Sequence, residues 1–560
     1  MSVMLARRVQ KVGRRVPRQN DTRLVSTRSE VCFINNLPPE LLLCIFKFSS
    51  MDDDDMHIND MQYYDYWNVH RTFDIDWWDK FVKKDTDAEI GEKLVEDEGE
   101  DGDEDEGSED TDDKSCSDFD STRFSSPPPF PILFSHVCRH WRNVTFSNPS
   151  LWTTIKVCPK AGQSYKFESM MLERSNNLPI DVWICQRLGY GNPRSLSSTD
   201  IRLLCSMLIP HIHRWRTMQV RFMEYYSMYA FLSAVSDPSV PAAPQLRTLG
   251  LRADYTRLER YRYTIDRRNK AKHFTLFAGS APLLTKLVLW GVHIDWNQPW
   301  IASASNLTYL LLVSHAEKVR PTWAQFVTIL RGASSLKRLT LRSSGPSGHP
   351  VEWCIEPTPG GPADLNSLIR LSQLTHLVLD YHAQAHAIGL LHKFCLPALK
   401  NLALELEDGH YTEFVHELAR PATLPYAQGE PRSILSSLTS LVIPELPHST
   451  EVIETLYGEL LNLTSLSISS WNSWRFAPLL YLPIGLPRLQ ALYVTSVSGA
   501  KIRQLVQTRI DAGMPLNSLY VKNLCDMDME DVEWLRRHVK SLGFWDFAKF
   551  GNSTVHDFGS

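Results

Sequence analysis

From Leu246 onward the chain repeats one arrangement of apolar and polar positions, L-x-x-L-x-L. The repeats run from Leu246/Leu249/Leu251 through Leu374/Leu377/Leu379 to Leu516/Leu519/Val521, ten in all. The last two apolar positions of each unit are two residues apart, the period of a strand with one buried face. The first lies three residues earlier, on the turn that leads in. In a strand His376 and Leu379 lie on opposite faces, whereas at helical spacing they would share one.

Successive first leucines are 23 to 39 residues apart, and the shorter steps match a leucine-rich period of about 20 to 29. Longer steps carry Gly/Pro-rich loops such as "SSGPSGHPVEWCIEPTPGGPADL". Trp215, Met218 and Val220 keep the spacing as an eleventh, degenerate unit, and the β-branched "LWTTIKV" and "LPIDVWI" read as the first strands. The expectation is an α/β fold: a solenoid over residues 156–545 in which parallel strands line one face, with one continuous core. Three residues beyond the last apolar position, where such repeats place Asn or Cys, stand Asp254, Val292, His315, Ser344, His382 and Glu407. No asparagine ladder exists, which predicts an irregular solenoid.

Ahead of the repeats the pattern becomes helical. In "NLPPELLLCIFKF" Asn36 is a candidate cap, prolines suit a first turn, Glu40 favours the positive end, and the run stops at Ser49–Ser50. In "ILFSHVCRHWRNVTF" Leu133, Val137, Cys138, Trp141 and Val144 recur at three and four residue steps, predicting one helix approached by Pro127–Pro129 and Pro131. Between the two helices lies an insert. Residues 51–130 hold 28 Asp/Glu against 7 Lys/Arg, a balance of −21 within a chain of net charge −5, so the remainder carries +16. Glu96 to Asp113 is acidic at 13 of 18 positions without an aliphatic or aromatic residue, too little apolar surface to offset ordering entropy. The aromatic stretch "MQYYDYWNVHRTFDIDWWDKFVKK" before it reads instead as a helix docked on the head. The organisation predicted is a basic disordered tail (1–30), a helical head (31–155) split by the largely disordered insert (about 51–130), the solenoid, and a tail (546–560).

Leu37-Pro38-Pro39-Glu40, the apolar run to Phe46, Val137-Cys138-x-x-Trp141-Arg142 and Pro149-x-Leu151-Trp152 resemble the F-box family, particularly the F-box-like proteins of mushroom-forming fungi. The match covers about fifty residues, split by the insert, and the repeats behind it strengthen it. The resemblance implies the substrate-recognition subunit of a cullin–RING, SCF-type ubiquitin ligase. Its head would bind a Skp-type adaptor and through it a cullin, its repeats a target protein. By that resemblance Leu37, Pro38, Pro39, Glu40, Leu41 and Leu42 meet the adaptor, with Ile45, Phe46, Val137, Cys138 and Trp141 divided between that interface and the head's own core. A unit this small gains stability by laying an apolar helix face in a partner's groove; the plainer alternative packs the same residues on the first repeats.

In the repeat strands, positions flanking the buried pair point to the concave face. They are Arg252, Lys286, Trp290, Tyr309, Arg338 and Arg342 on the early part, then His376, Asp380, Asn401, Glu405, Ser465, Tyr493 and Tyr520. This predicts a basic-to-acidic gradient, readable as a target-binding face with Arg and aromatic anchors or as solvated strand surface. The basic-aromatic stretch over 252–273 suits phosphate contact and base stacking. No nucleic-acid module surrounds it, and a solvated insertion is the preferred reading.

Ten cysteines without a C-x-x-C pair give neither a zinc site nor a disulfide framework and fit reduced thiols in cytoplasm or nucleus. The Arg-rich start resembles a transit peptide but reads better as a tail. No run has the length of a transmembrane helix. Neither a nucleophile elbow, a phosphate-binding glycine loop nor H-E-x-x-H is present, and His416-Glu417 lacks the second histidine. No cofactor, metal or enzymatic activity is expected. The competing reading of the whole is a binding scaffold that uses its repeats without a ligase.

Overall fold

The computed structural model describes residues 34, 37–50, 130–186, 196–253, 274–353, 368–406, 412–420, 433–443, 449–469, 486–495, 498–522 and 527–545. The expectations for Asn36, both tails, the acidic insert with its aromatic stretch, and the basic stretch beyond Ala253 concern residues outside these. Two compact units are formed, Met1–Trp152 and Thr153–Ser560.

In the first unit, helix α1 (Pro39–Ser50) opens on proline, carries Glu40 in its first turn and Lys47 in its last, each charge opposing the helix dipole. It buries Leu42 and Phe46, one turn apart. The single helix expected over 132–146 is instead two, α2 (Phe130–Ser135) and α3 (Arg139–Ser147). The break is chemical. Cys138 adopts an extended backbone and its Sγ accepts the Trp141 N–H, capping α3, while Arg142 Nε donates to Ser135 O at the end of α2, 2.8 Å. A helix terminus needs partners of this kind for its orphan groups. Phe46 stacks on Phe134 at 4.3 Å and meets Trp141 at 4.8 Å. The Trp152 indole donates to Thr145 O at 3.0 Å, inside the core.

The second unit is built on one parallel sheet of fourteen strands in chain order. They are β1 (Thr154–Val157), β2 (Ile180–Cys185), β3 (Trp215–Phe222), β4 (Thr248–Ala253), β5 (Lys286–Trp290), β6 (Tyr309–Val313), β7 (Arg338–Arg342), β8 (His376–His382), β9 (Asn401–Leu406), β10 (Ser440–Ile443), β11 (Ser465–Ser469), β12 (Ala491–Thr495), β13 (Ser518–Lys522) and β14 (Ser541–Trp545). All ten repeated motifs, the degenerate unit and the two β-branched segments supply strands. The pairing puts Leu249, Leu287, Leu310, Leu339, Leu377 and Leu402 in one row. Both leucines of each central strand are buried, Leu377 and Leu379 completely. Strand β14 was not anticipated, although Val539-x-x-Leu542-x-Phe544 keeps the spacing; nor was a two-stranded pairing of Ile369–Arg370 with Phe394–Cys395.

Helices return several units. Ser198–Leu208 and Trp323–Gly332 each start in a reciprocal capping box, Ser197 with Asp200 and Thr322 with Gln325. Register shifts at Ile180/Asp181 and Glu405/Leu406 are the irregularities of the described ladder.

The strands end in a recurring turn. Gly291, Ser314, Ser343 and Tyr381 all have positive φ, +59°, +52°, +44° and +51°. The N–H groups of the first three reach the next strand's Val313, Arg342 and Asp380 carbonyls at 2.9 Å. The residues that follow replace the missing asparagines: His315 Nδ1 bonds Ser344 Oγ at 2.7 Å and His382 Nε2 donates to Leu341 O at 3.1 Å. Arg320 adds bonds to the His315 and Ser343 carbonyls. The buried turn is thus satisfied by histidine, serine and arginine, which is what buried backbone requires. At the strand starts a threonine column does the same work: Thr285, Thr308, Thr375, Thr439 and Thr464 each donate Oγ1 to the preceding repeat's carbonyl.

Candidate functional site

Two surfaces carry the residues expected to function, one in each unit. On the head, side chains near one another in sequence divide sharply. Leu42 and Phe46 are fully buried and form the core: the expected adaptor contact through Leu42 is corrected, and Phe46 falls on the core side of the division expected for it. Leu41 (51% exposed), Ile45 (38%), Leu133 (42%) and Val137 (54%) face outward. Pro38, Pro39 and Glu40 are exposed, and Leu37, Cys138 and Trp141 are half-buried. Cys138 serves as the α3 cap and Trp141 packs on Phe46, which accounts for both. Leu133 had been noticed only for its spacing; exposure marks it as a surface residue. An α-helix that buries one edge of a short apolar run leaves the other in water.

On the sheet, the strand register aligns outward positions into columns running across neighbouring strands. In the early half the third column reads Arg221, Arg252, Trp290, Val313, Arg342, Asp380. The Arg252 guanidinium lies over the Trp290 ring at 4.0 Å, and Arg342 over Tyr381 at 4.9 Å, distances at which a cation is attracted to the ring quadrupole. Trp290 is consequently buried beneath its arginine rather than open. Asp380 is also corrected: its side chain is fully buried at the end of β8. Lys286 is exposed, and Tyr309, Arg338 and Arg342 are half-buried.

His376, expected to project freely, is half-buried and bonded. Asn401 Nδ2 donates to its Nε2 at 3.0 Å, and its Nδ1 lies 2.8 Å from Thr375 Oγ1. Burial, and next the nearby Arg338 charge, push its pKa down to about 4. Burial likewise holds His315 and His382 at about 3 and His386 at about 4. His382 and His386 stack at 5.0 Å, and Trp353 meets His386 edge-on at 4.8 Å.

The late half differs from the expected acidic end. Its first and middle columns hold Ser440, Ser465, Ala491, Ser518 and Ser541, then Val442, Ser467, Tyr493, Tyr520 and Gly543, without a charge. Tyr493 is buried and stacks on half-buried Tyr520 at 4.7 Å with planes 6° apart. Tyr520 leans over Gly543, where a Cβ would sit 2.5 Å from its ring. The Glu405 side chain lies outside the described residues.

Tyr381 was missed by sequence reasoning. Its signal was position: it occupies the left-handed turn site that Gly291, Ser314 and Ser343 fill with small residues. A bulky residue there is strained.

Among the described residues no group of three or more His, Cys, Asp or Glu is placed to hold a metal, and no helix is long and apolar enough to cross a membrane. The chain matches no protein-family model and no curated protein sequence.

Proposed function

We propose that the chain is the target-recognition subunit of an SCF-type ubiquitin ligase, with an F-box head and leucine-rich repeats. The observation that carries this is the head's apolar surface: Leu41, Ile45, Leu133 and Val137 stand in water beside an aromatic core already complete with Phe46, Phe134 and Trp141. Such a face suits a Skp-type adaptor's groove, and the two-part sequence resemblance supplies the partner's class. The repeat sheet then offers its outward face to a target protein. Ubiquitin transfer belongs to the ligase partners, this chain raising the target's effective concentration beside them. A cytoplasmic or nuclear place of action follows from the partners.

The test is adaptor and cullin co-elution with the purified full chain. Leu41→Asp combined with Val137→Asp places charges in the docking face and is expected to abolish adaptor recovery with an unchanged far-UV spectrum. Equal recovery from wild type and variant overturns the reading, and a wild type that brings down neither adaptor nor cullin favours a ligase-independent scaffold.

A further inference from the structure

Three helices follow the first three strands of the second unit: α4 (Lys166–Arg174), α5 (Ser198–Leu208) and α6 (Tyr225–Val235). Each links two parallel strands, so all three run in one direction. α5 packs along α6, whereas α4 and α5 part and leave a groove of about 600 Å³. We propose that this groove binds an amphipathic helix of a partner protein, lying parallel to α4, with a carboxylate near its start and a cation two turns later. The site is distinct from the sheet face and does not rest on the ligase reading.

Shape is the first argument. One side of α4 turns Lys166, Met170 and Glu173 to the groove, and one side of α5 turns Leu203 and Met207, the three- and four-residue steps of a helical stripe. Leu203 is 50% exposed, and Met170 and Met207 are half-buried. They form an apolar strip between two ridges, the space that a third helix fills. Methionine suits such a surface because its unbranched chain adapts to what docks on it. Away from their ends both walls have their backbone groups bonded within the helix, so an extended peptide finds no ladder here. A helix arrives with its backbone already satisfied.

Charge is the second. Lys166 and Glu173 are exposed, and neither side chain has an ion pair or hydrogen bond among the described residues. They stand seven residues apart on α4, about 10 Å along its axis. Both run against the α4 dipole, which Glu168 and Arg174 follow. A helix laid parallel to α4, with Glu opposite Lys166 and Lys opposite Glu173, pairs both charges and suits its own dipole.

The third is an unmet polar group. Tyr165 is only 6% exposed and lines the groove, yet its hydroxyl has no hydrogen-bond partner among the described residues. Burial, then the Asp200 and Glu168 carboxylates, push its pKa up to about 12, so it remains a donor. His211 also lines the groove. Its Nδ1 accepts from Arg214 at 3.3 Å, which leaves the ring proton on Nε2. Both residues supply donors for the occupant's polar rim.

The probe is a fluorescein-labelled peptide of about 20 residues, Ala/Gln-rich for helicity, with Glu-Ala-Gln-Leu-Leu-Ala-Gln-Lys at its centre. It is titrated with the full chain by anisotropy at low salt. Controls are the peptide with Glu and Lys exchanged, one with both Leu replaced by Gln, and one with Pro at its centre. The first peptide is expected to bind about tenfold tighter than each control. Leu203→Gln or Met207→Gln should weaken it about tenfold, with thermal midpoints that match wild type because both side chains reach solvent. Lys166→Glu combined with Glu173→Lys should reverse the preference between the matched and exchanged peptides, which a merely structural role for these charges would not do. Arg537→Ala, on the Met529–His538 helix, should leave binding unchanged.

A matched peptide that binds no tighter than the exchanged one overturns the inference. So does a double charge swap that fails to reverse the preference. Equal binding of the Pro peptide puts an extended segment in the groove and overturns the helix. A wild-type dimer that Leu203→Gln dissolves, with no peptide bound by either, puts a second copy there and overturns the partner.

Discussion

The early and late halves of the sheet share one backbone and differ in chemistry. From β4 to β8 the outward columns include two arginines lying over aromatic rings, Arg252 and Arg342, with histidines buried at the strand ends. From β10 to β14 the first two columns are serine, alanine, valine, glycine and a tyrosine pair. On the buried side the two halves are interchangeable: Leu377 and Leu379 in one, Leu466 and Ile468 in the other, all at 0% exposure. A repeat fold separates these tasks, because each strand alternates faces. Core leucines fix the stacking and leave the outward columns to vary.

The first way to test that separation carries the largest effect. Leu379→Ala in the early half and Leu466→Ala in the late half should each cost about 2–5 kcal/mol, lost burial plus a cavity, read from urea midpoints. Similar costs sustain the shared core; a several-fold difference would mean that the halves are not equivalent beneath their faces. His376→Ala, on the outward side of β8, should cost about 1 kcal/mol. That is more than a solvated residue would, because two hydrogen bonds and partial burial go with it.

A second measurement separates the halves by pH. His315 and His382 titrate at about 3 in the folded chain against an ordinary 6.5, because burial disfavours the imidazolium. The unfolded chain therefore binds more protons below pH 6.5. Stability is fully retained above that value and falls as pH drops from 6.5 toward the folded pKa values, by about 1.4 kcal/mol per pH unit for each histidine. Both lie at the ends of early-half strands. Amide exchange at pH 5.5 relative to pH 7.5 should accelerate, after correction for intrinsic rates, around β6–β8 before β11–β13. Uniform loosening, or an unchanged response in His315→Gln with His382→Gln, would remove the histidines as the cause.

How far this was legible in the sequence depends on which side of a strand is asked about. The repeat spacing located eleven strands and β-branched alternation two more, because burial of alternate residues is written directly into the sequence. Polar satisfaction was less legible. A missing asparagine suggested a ragged turn, yet His315, Ser344 and His382 do equivalent work, and histidine at such a site looks like any other histidine. Cys138 concealed a helix break because a thiol is not a customary cap. In the head, spacing marked Leu41, Leu42, Ile45 and Phe46 alike as apolar, and only packing against Phe134 and Trp141 sorted inner from outer. Asp380 and Trp290 carried the right alternation and the wrong exposure, since a column position says nothing of what lies over it.

The smallest expected effect bears on Tyr381. Left-handed backbone costs a bulky L-residue about 1–2 kcal/mol, and glycine would relieve it. Against that stand the extra chain entropy that glycine loses, about 0.5–1 kcal/mol, and the lost cation–π contact with Arg342, about 0.5–1 kcal/mol. Tyr381→Gly should therefore leave stability within about 0.5 kcal/mol of wild type, by urea midpoint. Ser343→Gly, at the equivalent turn one repeat earlier and also left-handed at φ +44°, has no ring to lose and should stabilise by a few tenths of a kcal/mol. A destabilisation above about 2 kcal/mol in Tyr381→Gly would make the ring a structural prop. The strain would then be explained by packing.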